Sequence, residues 1–148
     1  MTLLERIPQE IKAAMLHKDA ERLSTLRLLK SAMGYTQIER KKEDLSDAEV
    51  VSVIQKEVKK RRDSIEQFEK GGRPELAAKE KREMEVLEGF LPKPLPQEEL
   101  EQLVRATIAE LGAASKKDMG PVIKAVQAKA AGRADGKTIS TAVAKLLP

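Results

Sequence analysis

LSDAEVVSVIQKEVKKRRDSIEQFEK, residues 45–70, carries the most regular apolar period in the chain. Ser46 and Glu49 have the spacing of a capping box, and Val50, Val53, Ile54, Val58, Ile65 and Phe68 recur at threes and fours, which predicts a long amphipathic helix. Gly71-Gly72 ends it. Pro74 suits a first helical turn, so a further helix is expected from Arg73 or Pro74 to about Gly89, burying Leu76 or Ala77, Met84 and Leu87. Upstream, Asp19 is placed to cap a helix reaching about Arg40, with Leu23, Leu26, Leu29 or Lys30, Met33 and Gln37 on its inner side and Gly34 weakening its middle. The first segment offers a second capping box, Thr2 with Glu5, and a stripe of Leu4, Ile7, Ile11, Ala14 and Met15. Pro8 breaks that pattern: either the helix passes through it with a kink, or the ordered helix begins there.

Beyond these four helices lies Leu91-Pro92-Lys93-Pro94-Leu95-Pro96, which cannot continue a helix and reads as an extended, stiff boundary. The chain restarts over Gln97–Leu111, acidic at its head and apolar at Leu100, Leu103, Val104, Ile108 and Leu111, and Gly112 stops it. Asp118 is expected to cap a sixth helix that buries Met119, Val122, Ile123, Val126 and Ala130 and ends at Gly132. A seventh begins near Asp135–Thr138 and buries Ile139, Val143, Leu146 and Leu147. The expected fold is all-α: an N-terminal helical domain of four helices over 1–91, a Pro-rich linker over 92–96 and a C-terminal three-helix bundle over 97–148.

Composition agrees with helices and narrows the chemistry. The 148 residues are 41% hydrophobic and 2% aromatic, so the cores must be built from aliphatic side chains, which helix packing uses readily. Without cysteine there is no disulfide or thiolate chemistry, and a reducing compartment fits. No apolar run approaches the roughly 20 residues that span a bilayer, and the first turns lack a secretory pattern; a cytoplasmic protein without membrane contact is expected. No nucleotide-cradling loop, nucleophile elbow, zinc-protease or dinucleotide motif is present. No catalytic residue, cofactor or metal site is therefore assigned. His17 is read as an end cap of the first helix, and Glu80, Glu83 and Glu85 as solvated helix-surface carboxylates. The basic run around Lys59-Lys60-Arg61-Arg62 wraps its helix, so surface or inter-helix ion pairing is preferred over nucleic-acid contact, with Arg61 near the Val58/Ile65 stripe.

Charge and geometry coincide only near the C-terminus. Residues 115–148 hold seven basic against two acidic side chains. At about 100° per residue, Lys117 and Lys124 fall on the side of the sixth helix opposite Val122 and Val126. Lys116 and Lys117 precede that helix and Lys137 stands at the head of the seventh, where free N–H groups attract anions. The two helix starts are expected to lie beside one another, with Gly120 and Gly136 leaving room for a phosphate.

Several segments resemble the GatB/YqeY family. Ile108-Ala109-Glu110-Leu111-Gly112-Ala113, Lys117-Asp118-Met119-Gly120 and Gly132-Arg133-Ala134-Asp135-Gly136-Lys137 look like its tail domain. Leu3-Leu4-Glu5-Arg6-Ile7, Arg61-Arg62-Asp63-Ser64 and Phe90-Leu91-Pro92 followed by Glu98-Glu99-Leu100 resemble stand-alone YqeY-like proteins. Pro121 stands where the family usually carries a basic residue. The resemblance implies a C-terminal domain similar to the tail of the GatB component of the glutamine-dependent tRNA amidotransferase, which helps grip tRNA. It also attaches a family label of carbon–nitrogen ligase with glutamine as amido-N-donor, although no amidase site or kinase-like domain is found here. The expected function is a non-catalytic accessory protein binding tRNA or another structured RNA through Lys116, Lys117, Lys124, Arg133 and Lys137. The alternative is a module that docks on an amidotransferase or other translation-related protein.

Overall fold

A computed structural model describes all 148 residues. It contains α1 (Leu3–Leu16), α2 (Ala20–Arg40), α3 (Asp47–Lys70), α4 (Pro74–Glu88), α5 (Gln97–Leu111), a 3-10 turn at Lys116–Asp118, α6 (Met119–Ala130) and α7 (Gly136–Leu146). The fold is all-α. Two compact units divide the chain, Met1–Leu91 and Pro92–Pro148.

In the first unit, α3 is fixed at its head by reciprocal bonds: Glu49 N–H donates to Ser46 Oγ, and Ser46 N–H to the Glu49 carboxylate. Its inner stripe, Val50, Val53, Ile54 and Val58, meets Ile7 of α1, Leu26, Leu29 and Met33 of α2 and Leu87 of α4 in one core. Leu29 and Ala77 take the buried positions that Lys30 and Leu76 were alternatives for. The α3–α4 turn needs a left-handed residue, and Gly72 supplies it with φ 71°.

Helix α1 starts at Leu3 and runs through Pro8, so the start at Pro8 is excluded. Two restraints outweigh the hydrogen bond that proline removes. Thr2 and Glu5 form a complete capping box, and the Leu3 N–H donates to Asp47 Oδ1 on α3 at 2.9 Å. Ile7, fully buried beside the proline, adds the burial of an isoleucine, worth about 1.5–3 kcal/mol.

One carboxylate departs from its sequence reading. Glu83, expected in solvent, is buried together with Arg61. The Arg61 guanidinium lies 3.3 Å from both Glu57 and Glu83, tying α3 to α4. At that separation Arg61 Nε is not aligned to hydrogen-bond Glu83, so the contact is chiefly coulombic. The end of α4 is held differently: Phe90 is buried, with the Arg6 guanidinium 4.8 Å from its ring centre.

The second unit closes α5, α6 and α7 around Leu100, Val104, Val122, Val126, Ile139 and Val143. Its proline-rich start is no free spacer. Leu95 packs on this core, its N–H donates to the Arg133 carbonyl at 2.8 Å, and Arg133 Nε donates to the Lys93 carbonyl at 2.9 Å.

Candidate functional site

The head of α6 is built otherwise than its aspartate suggests. Asp118 makes no side-chain cap to α6. Ser115 caps the preceding 3-10 turn, and the Asp118 carboxylate accepts from the N–H groups of Ala114 and Ser115. The spacing Ser115-Lys116-Lys117-Asp118 is itself a capping box; the signal was present and the more familiar aspartate cap obscured it. Lys116 and Lys117 precede α6, as expected, and lie in that 3-10 turn. At the other end, Ala131 is the left-handed residue that closes α6, with φ 49°, and Gly132 follows at φ 84°. Asp135 does cap α7, accepting from the Thr138 N–H at 2.7 Å.

The two helix starts are not neighbours. Lys116 Nζ donates to the carbonyl of Ala144, near the end of α7. Conversely, a Cβ on Gly136, at the head of α7, would lie 3.5 Å from Gln127 Nε2, near the end of α6. The short turn between the helices makes them antiparallel, so their heads are separated by roughly 20 Å of helix.

Among the five basic residues singled out, two have structural partners. Lys116 neutralises a C-terminal carbonyl of α7, and Arg133 clamps the Lys93 carbonyl. Lys117, Lys124 and Lys137 are exposed. Lys124 lies on α6 and Lys117 in the 3-10 turn that leads into it, seven residues earlier. Gly120, Pro121 and Ala128 share their exposed face, and nothing lies within 4 Å of a Cβ placed on Gly120. A smooth helical surface flanked by two ammonium groups can accept a phosphate backbone closely.

Two of the unit's other lysines are paired with carboxylates. Lys129 pairs with Glu110, and Lys145 pairs with Glu101 at 2.8 Å. The Lys145 hydrogen bond and charge hold the Glu101 carboxyl below the usual carboxylate range. No group of three or more His, Cys, Asp or Glu side chains is arranged to hold a metal ion, and no helix is long and apolar enough to cross a membrane.

Comparison with known proteins places the chain in a family. Residues 4–147 match the family described as Yqey-like protein. The altered inheritance of mitochondria protein 41, mitochondrial, of Kluyveromyces lactis is 36% identical over 84 residues, which is 57% of this chain and 45% of that protein. The protein of the same name from Pyrenophora tritici-repentis is 28% identical over 149 residues, covering 98% of this chain and 81% of its own. An uncharacterized protein of Schizosaccharomyces pombe is 34% identical over 86 residues, 58% of this chain and 69% of its own. The chain spans about half the length of several curated relatives it matches.

Proposed function

Because the chain belongs to the YqeY-like protein family, we propose that its second unit grips structured RNA, tRNA in the first instance, as a non-catalytic accessory module akin to the tail of the GatB component of the tRNA amidotransferase. The observation that carries this reading is the outer face of α6. Lys117, in the turn leading into α6, and Lys124, on α6, are both exposed, as are the small residues Gly120, Pro121 and Ala128, which leave a backbone room to approach. Lys137 supplies a further contact at the far end of the helix pair, while Lys116 and Arg133 contribute charge from positions already engaged with backbone carbonyls. Recognition is by shape and phosphate, since this unit contains no aromatic residue on which a base could stack. The ligase label of the family attaches to complexes in which other domains perform the amidation. We assign the activity to the cytoplasm, a reducing compartment that suits a chain without cysteine.

Binding of total tRNA to the intact chain tests the proposal. Affinity should fall linearly with salt on logarithmic axes, because each neutralised phosphate releases counterions. Absence of a complex at low salt, or binding indifferent to salt, would overturn it.

A further inference from the structure

Helix α2 is apolar on two opposite sides. Leu26, Leu29 and Met33 are buried in the core, while Leu28, Tyr35 and Ile38 are 53%, 75% and 76% exposed. Together with Ser24 and Ser31 these outer residues fall at 24, 28, 31, 35 and 38, alternating steps of four and three. That is the seam spacing by which one helix receives another. From Leu28 to Ile38 the seam runs about 15 Å, or three turns, and the exposure of its large side chains shows it uncovered in this chain.

The surroundings of the seam are basic. A depression of about 490 Å³ runs between α2 and α3, with Leu28 and Tyr35 on one wall and Lys56 and Lys60 on the other. A second, of about 380 Å³, shares Leu28 and Ser31 with it and reaches Arg27, which the helical period places on the edge of the seam away from α3. Cations therefore border the seam on both sides. Arg27 and Lys56 have no ion-pair partner within the chain, and Lys60 has only Glu57 at 3.3 Å, with its side chain 73% exposed, a kind of pair that contributes little. Four basic and two acidic side chains line the two depressions, and of the acids Glu57 is already bonded to Lys60 and Arg61. The positive charge left over calls for an acidic occupant. We infer that this seam docks an amphipathic helix of another protein, one whose apolar stripe of about three turns is flanked by carboxylates. Lys56 and Lys60 stand one turn apart, so carboxylates one turn apart on the partner match them. Two copies of this chain, paired through the seam about a two-fold axis, would set like edge against like edge, lysines facing lysines. Exposed Leu28 and Ile38 offer nothing to a phosphate backbone, which separates this face from that of Lys117 and Lys124.

Synthetic peptides of about three heptads, with leucine at a and d and either glutamate or lysine at e and g, are suitable probes, because like charges keep each from pairing with itself. Fluorescence anisotropy with the full chain should show the glutamate peptide bound at least about tenfold more tightly than the lysine peptide. Arg27→Glu/Lys56→Glu changes two unpartnered, exposed residues and should reverse that preference. Leu28→Ser/Ile38→Ser should weaken binding of the glutamate peptide at least about tenfold. Circular dichroism confirms that each variant remains helical, and sedimentation of the wild type alone should give the 16.4 kDa monomer. No binding of the glutamate peptide, equal binding of both peptides, or an unchanged preference in the charge variant would overturn the inference. So would a wild-type dimer that Leu28→Ser/Ile38→Ser dissociates, since the seam would then belong to a second copy.

Discussion

Arg61 and Glu49 show what single residues contribute to the first unit. Arg61 is shared by Glu57 and Glu83, so Arg61→Leu leaves two carboxylates crowded at the α3–α4 contact, whereas Glu83→Gln leaves Arg61 with Glu57. Arg61→Leu should cost about 3 kcal/mol and Glu83→Gln clearly less, measured by urea unfolding; equal losses would contradict the shared-pair arrangement. Glu49 faces Lys42 at 2.7 Å and caps α3. The Lys42 hydrogen bond, followed by the Ser46 backbone bond, lowers its pKa to about 2. A pKa depressed on folding stabilises above the unfolded carboxylate value of about 4.3 and is lost as pH falls toward the folded value. The stability gap between wild type and Glu49→Gln should therefore be full at pH 7 and close between about pH 5 and pH 2. A gap that does not change with pH would rule out this role. Ser46 and Thr2 were legible as caps from spacing alone. Glu83 was not, because a helix-surface charge pattern does not reveal which carboxylate a neighbouring helix covers.

At the scale of elements, the apolar period located seven helices, and their limits follow caps and glycines. Two features required three-dimensional partners. The tether from Leu3 to Asp47 spans 44 residues, so no local signal tells that α1 survives its proline. The proline nevertheless costs a main-chain bond: Pro8→Ala should stabilise the protein by up to about 3 kcal/mol, seen as a higher melting temperature. An unchanged or lower value would show that the helix is already relaxed around Pro8. The heads of α6 and α7 are close in sequence and distant in space, because a short turn reverses the chain. Nearness along Lys116–Lys137 therefore misled as to where the cations gather, while the helical period anticipated that Lys117 and Lys124 face solvent. Several segments that carry the family resemblance hold the fold together: Arg6 covers Phe90, Arg61 bridges α3 and α4, and Arg133 clamps Lys93.

Across the whole molecule, charge divides unevenly. Residues 1–91 contain 19 basic and 18 acidic side chains, and residues 92–148 contain nine and six. The first unit is almost neutral, and its conspicuous feature is the uncovered apolar side of α2. The second unit carries the positive excess, with Lys129 and Lys145 already paired. The positive excess can therefore be perturbed in the second unit without altering the first. The decisive comparison is tRNA affinity, measured against salt, for wild type, for Lys117→Glu/Lys124→Glu, and for Lys12→Glu/Lys59→Glu, which makes the same change of net charge on exposed positions of the first unit. The α6 pair should lose at least about tenfold in affinity and reduce the salt slope by about two, with the first-unit pair close to wild type. Equal losses in both variants, or none in the α6 pair, would contradict an RNA grip on this face.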